Sequence, residues 1–229
     1  MDFTVITDNL DYFLWGAYPN GPLGGAALTL VLSLASGMAS AVLGLLLGLA
    51  LVLVRGKARW VLIAVLGFLR AIPVLMLIFW AYFLLPIVFH VDVPAIATVV
   101  CALSLIGGAY LAHSVHAGIQ SLPPGQWAAA KAMGMRTGQI LRLIILPQAL
   151  PIMLPSFLNQ WVSLIKDTSL AYVIGVGELS FVATQVSNRV MVHPTEIFLF
   201  VAAVYFVFCW SLGLAATLWQ SRRRQPGAR

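Results

Sequence analysis

The sequence predicts an all-α, polytopic membrane protein with about five transmembrane helices, on three observations. Of its 229 residues, 61% are hydrophobic and only 9% are charged, where a soluble domain carries roughly 25% charged residues. The apolar residues fall in several runs long enough to cross a bilayer. The basic residues Arg55, Lys57, Arg59, Lys131, Arg136, Arg142, Arg222, Arg223, Arg224 and Arg229 occupy the connections after alternate runs. All seven acids, Asp2, Asp8, Asp11, Asp92, Asp167, Glu178 and Glu196, lie elsewhere. That asymmetry fixes orientation in a membrane, so the net charge of +6 is not read as a nucleic-acid patch.

Residues 1–22 are polar to mixed, with no Lys or Arg. They lack a basic segment ahead of the first apolar run, so they are not read as a secretory signal. Phe3, Ile6, Leu10, Phe13 and Leu14 approach helical spacing, as in a short amphipathic piece lying on the outer surface. One transmembrane domain, residues 23–220, follows. Its first span, 23–54, exceeds the ~20 residues a bilayer needs. Its Gly44 and Gly48 have the small-xxx-small spacing that allows close helix packing; glycines are also simply common in membrane helices.

The second span, 60–90, is interrupted at Arg70-Ala71-Ile72-Pro73. The true crossing is therefore expected to begin near Pro73. Arg70 either snorkels to the interface or faces a pore. The third span is 95–119 and carries His113 and His116 at its end. The fourth, 148–178, is expected to be broken by Pro151, Pro155 and the polar run Lys166-Asp167-Thr168-Ser169. The fifth is 195–220, and a basic tail, 221–229, closes the chain. This places the N-terminus outside and the C-terminus in the cytoplasm. Cys101 and Cys209 sit in apolar runs, as packing residues do.

Between the third and fourth spans lies a segment of a different kind. Residues 121–147 are basic, carry no acid and are divided by Gly125, Gly134 and Gly138. Two short helices hinged at a glycine are expected there, projecting into the cytoplasm. Trp127, Ala130, Lys131 and Gly134 fall at helical spacing, which marks them as a contact face and its end. A connector that only lies on lipid headgroups is the other reading of such a segment.

No enzyme chemistry is legible. No Gly-rich loop ends in Lys followed by Ser or Thr, so there is no nucleotide P-loop. Ser36-Gly37 is preceded by Leu34 where an intramembrane serine protease would need glycine. His113 and His116 lack a third metal ligand, and no metal or cofactor is expected.

The loop resembles the EAA loop of ABC-importer membrane subunits. That pattern runs EAA, three residues, Gly, nine residues, I-x-L-P. Ala129-Ala130, Gly134, Ile144, Leu146 and Pro147 fall in register, with Gly125-Gln126 ahead of them. Gly25 and Thr29-Leu30, then Phe68, Arg70 and Pro73, then Ala109-Tyr110-Leu111 and Gly118-Ile119-Gln120 look like the family's first three spans. Lys166-Asp167-Thr168-Ser169-Leu170 with Ile174-Gly175 looks like its fourth. Over residues 21–220 the chain resembles the polar amino acid permeases, closest in look to the glutamate/aspartate type. It departs from them at Ala128, which stands in place of the Glu of EAA. It departs again at His113 and His116, which replace Glu and Arg.

The resemblance implies a MetI-like permease fold and a transport subunit that is not itself an enzyme. It implies a pore formed with a second permease subunit, as a homodimer or heterodimer. It also implies separate ATP-binding subunits on the cytoplasmic side and an external amino-acid-binding protein. The coupling residues would be Gly125, Gln126, Trp127, Ala129, Ala130, Lys131, Gly134, Ile144, Leu146 and Pro147. Charges at membrane depth cost at least ~2.5 kcal/mol each, so they usually pair or line a wet cavity. Lys166 and Asp167 could meet the two charges of an amino acid, with Thr168 and Ser169 bonding its carboxylate, or could form a structural pair. Arg70 and Glu178 are further candidates for the pathway or gate. A stand-alone secondary transporter or channel is the alternative; five spans without a repeat and an unused basic loop argue against it.

Overall fold

The computed structural model describes residues 3–223; Asp2 and the tail beyond Arg223 lie outside them. The chain opens with two short helices, α1 (Thr4–Asp8) and α2 (Leu10–Trp15). Their apolar stripe is only partly used. Ile6 and Phe13 are buried, and Phe13 meets Phe200 at a ring distance of 5.2 Å. Phe3 and Leu10 stay exposed.

The first long helix, α3 (Gly25–Leu53), turns into α4 (Lys57–Ala71). Then α5 (Val74–Phe79), a π turn over Trp80–Leu84, and α6 (Leu85–Phe89) return across the layer. The axis bends by 100° between α4 and α5. Pro73 explains the break, because it has no N–H for the helix ladder and excludes helical backbone at Ile72. Ile72 is extended at ψ 132.

Helix α7 (Ala95–Gln120) is the most buried of the long helices. It packs parallel to α3, one turn at a time. A side chain on Gly44 would strike Leu111, and one on Gly48 would strike Val115. Ser40 lies against Gly107 in the same way. The small-xxx-small spacing in α3 thus serves a helix–helix contact.

Helix α8 (Pro124–Ala132), a turn through Gly134, α9 (Thr137–Ile140) and a π turn over Leu141–Ile145 lead into α10 (Leu146–Asp167). A tight 3₁₀ stretch, Thr168–Ile174, ends that segment. Helix α11 (Leu179–Val190) and the final α12 (Pro194–Arg223) complete the chain. Among the described residues, four segments are long and apolar enough to cross a membrane, and the bent pair makes five.

The structure differs from the sequence reading at three points. The helical segment that holds the fourth span runs over Thr137–Ile174, where the sequence reading set the span at 148–178. Ile144, Leu146 and Pro147 therefore belong to that long helical segment, and the projecting loop is reduced to α8 and its hinge. Pro151 and Pro155 do not break α10; with Pro147 they recur every four residues, which keeps the missing donors on one face. Cys101 is exposed and Cys209 only half-buried, so neither is a core residue.

The contacts define two ends. At one end the α3–α4 turn, the C-terminus of α7, α8 and α9 come together, with every basic connection described. At the other, α1 and α2 pack under α11 and the start of α12.

Candidate functional site: the coupling helix and the polar break

Two regions hold the residues singled out by sequence. The first is α8 at the basic end. Pro124 opens it, where a missing N–H costs nothing. Gly134 ends it with φ 75, a left-handed backbone that glycine adopts without strain. Its N–H donates to the Lys131 carbonyl at 2.9 Å. The next helix starts where Arg136 N–H donates to Gln139 Oε1 at 2.9 Å.

Part of the face of α8 expected to dock outward meets the protein's own chain. Ala130 is fully buried, and Trp127 packs beside it. They sit against Val115 and Ile119 of α7 and Ile140, Ile145 and Met153 of the fourth span. Ala130, and in part Trp127, thus fasten α8 to the bundle. Gly125, Gln126, Ala128, Ala129, Lys131, Met133 and Gly134 form the exposed side. Met133, which the sequence reading passed over, is 70% exposed. Gln148 Nε2 donates to Gln126 Oε1 at 3.4 Å and to the Ile144 carbonyl at 2.8 Å, linking α8 to the foot of α10.

The second region is the change from α10 to the 3₁₀ stretch at Thr168. Lys166 is exposed and Asp167 partly so, and no ion pair joins them. Thr168 is fully buried, and its hydroxyl donates to the Ile165 carbonyl at 2.7 Å. The Ser169 hydroxyl donates to the Lys166 carbonyl at 2.6 Å. Both hydroxyl protons are thus engaged by the helix they end, which leaves them no proton for a carboxylate. Arg70 lies far along the chain, at the end of α4. Its guanidinium stands 5.0 Å from the centre of the Tyr110 ring, and Tyr110 Oη donates to the Arg70 carbonyl at 3.4 Å.

Glu178, the other candidate for the pathway or gate, lies inside the protein. It is completely buried at the cap of α11. Its carboxylate accepts from Ser180 N at 2.9 Å, Phe181 N at 2.9 Å and Tyr205 Oη at 2.8 Å. Gly25 N donates to the Gly177 carbonyl at 2.9 Å, and Leu179 N donates to Thr29 Oγ1 at 3.1 Å. The residue is the centre of a knot that joins α3, α11 and α12. The sequence signal for it was present, since an acid directly before a helix is a capping residue.

The fold is a helical bundle of about five spans with a short glycine-ended helix packed at its basic end. Residues 40–225 match the family described as "Binding-protein-dependent transport system inner membrane component", and the chain belongs to that family. It is 34% identical over 191 residues to the L-cystine transport system permease protein TcyB of Bacillus subtilis (strain 168), covering 83% of this chain and 81% of that protein. It is 32% identical over 233 residues to the glutamate/aspartate import permease protein GltK of Escherichia coli O6:H1, covering 96% and 97%. Its fold matches a crystal structure of an amino acid ABC transporter with histidines at a TM-score of 0.83, with 26% identity over 97% of this chain and 99% of that one. The chain is a permease, a transport component embedded in the membrane.

Proposed function

We propose that this permease is the pore-forming subunit of an ATP-driven importer of polar amino acids, of the glutamate/aspartate type. It pairs with a second permease subunit, accepts substrate from an external binding protein, and is driven by separate ATP-binding subunits. Its basic end, with the C-terminus, faces the cytoplasm of an inner-membrane cell, and its N-terminus lies outside.

The observation that carries this reading is the construction of α8. One side, Trp127 and Ala130, is locked into the core shared by α7 and the fourth span. The other side is open and small-featured. A force on the exposed side is then passed directly to two membrane spans, which is what coupling requires. Gly134 lets α8 tilt against α9 without unfolding either. The acidic amino-acid assignment is supported by likeness to GltK over nearly all of the chain. It is also supported by two exposed cations at the polar breaks, Lys166 and Arg70, neither of them in an ion pair among the described residues.

The test is reconstitution. The permease, its ATPase and the binding protein encoded beside it are placed in liposomes, and labelled glutamate uptake is followed with and without ATP. Uptake that needs all three components is expected. Uptake by the permease alone, without ATP, would instead establish a stand-alone secondary transporter or channel.

A further inference from the structure

At the basic end, away from α8, a cleft of about 260 Å³ opens between the α3–α4 turn and the last turn of α7. Arg55, Arg59, His116 and Gln120 line its polar side, and Leu51 and Val52 form its apolar wall. Arg59 reaches across it, with Nη2 3.5 Å from His116 Nε2. A guanidinium only donates, so the imidazole nitrogen accepts. Arg59 Nε is buried and has no hydrogen-bond partner among the described residues. No ion pair involves Arg55, Lys57 or Arg59, and no acid lies in the α3–α4 turn or in α7. The cleft therefore gathers fixed positive charge and an unanswered buried donor with nothing of opposite sign.

We propose that this cleft binds a phosphate group. The guanidinium fork of Arg59 presents parallel N–H donors that match two phosphate oxygens, and it would gain the partner that Nε now lacks. Arg55 supplies a second charge, and Gln120 a neutral donor. Basic pockets between membrane helices recognise phospholipid headgroups by the same chemistry, and the wall of Leu51 and Val52 suits a glycerol backbone. A free phosphate offers the same oxygens.

The experiment uses the purified full chain, stripped of lipid in detergent. Native mass spectrometry measures binding of phosphatidylglycerol, of diacylglycerol with the same acyl chains, and of inorganic phosphate. Phosphatidylglycerol, but not diacylglycerol, should be retained. Retention should fall about tenfold in Arg59→Gln. The exposed Arg55→Gln should also weaken it, and is the variant to use should Arg59→Gln not fold. Arg142→Gln, which removes the same charge elsewhere at this end, should retain lipid as the parent does. Displacement of the lipid by millimolar inorganic phosphate would assign the site to a free anion, and persistence would assign it to the lipid. Equal binding of diacylglycerol, or equal loss in Arg142→Gln, would overturn the proposal.

Discussion

Tyr205 donates its hydroxyl proton to Oε2 of Glu178 at 2.8 Å, and so fastens the last span to the loop that follows the fourth. Ser180 Oγ lies 3.3 Å from the same hydroxyl. Removing the tyrosine hydroxyl leaves a buried carboxylate short of one partner. A hydrogen bond to a charged group contributes about 1.5–3 kcal/mol. Tyr205→Phe is expected to lower the thermal midpoint of the purified protein by several degrees. Glu178→Ala should lower it further, because it also removes the α11 cap, itself worth ~1 kcal/mol. A melting curve for each, followed by helical signal, decides it. An unchanged midpoint in Glu178→Ala would show that the knot is not structural.

The parallel seam between α3 and α7 makes a second prediction. Gly44→Leu or Gly48→Leu forces side chains into Leu111 and Val115, with an overpacking cost of at least ~1–3 kcal/mol. Gly67, which has open space around it, should accept alanine with little loss. Yield of monodisperse protein in detergent compares the three.

On α8 the two faces should respond differently. Trp127→Ala removes a packing residue and should destabilise the protein together with its activity. Met133→Glu, on the exposed side, should leave the melting midpoint unchanged yet reduce ATPase stimulation in the assembled importer. Ala128→Glu, restoring the acid of the related loops, should tighten association with the ATPase. Co-purification of the ATPase with each variant is the measurement.

Gly134 provides a sharper test of the hinge. Its φ of 75 makes a branched side chain strained there by about 1–2 kcal/mol. Gly134→Val is expected to retain assembly while uncoupling hydrolysis from uptake. ATPase activity and transport measured on the same liposomes should separate, and transport equal to the parent's would remove the hinge from the mechanism.

At the polar break, Lys166→Gln should depress uptake of glutamate more than uptake of glutamine, because glutamate brings a second carboxylate for that cation to meet. Competition between the two substrates in one assay reads the ratio. Equal loss for both would assign Lys166 a structural role.

Much of this was legible in the sequence, and the failures share a cause. Spacing alone identifies a stripe on a helix but not what the stripe faces. Trp127 and Ala130 were correctly placed on one side of α8, yet that side meets α7 and the fourth span. The break at Pro73 was visible because proline acts locally on its neighbour. The continuity of α10 through Pro151 and Pro155 was not, since it depends on the packing around the helix. Thr168 and Ser169 looked available to a ligand until their hydroxyls were seen to close their own helix. Glu178 was legible as a cap of the next helix, but its bond to Tyr205 was not, because that residue meets it only after the chain has folded back. The left-handed backbone at Gly134 was legible, as conformation at a glycine between two short helices needs no tertiary information.

The bend between α4 and α5 has a consequence for the lipid around the protein. The segment that returns after it, Val74–Phe89, rises only about 24 Å, against a hydrocarbon layer ~30 Å thick. The mismatch of some 6 Å falls beside one wall of the bundle, where the bilayer must thin or headgroups must sink to meet the helix end. Arg70 stands at that step. A local thinning of the bilayer there would bring headgroups and water to Arg70, whose guanidinium already stacks on the Tyr110 ring.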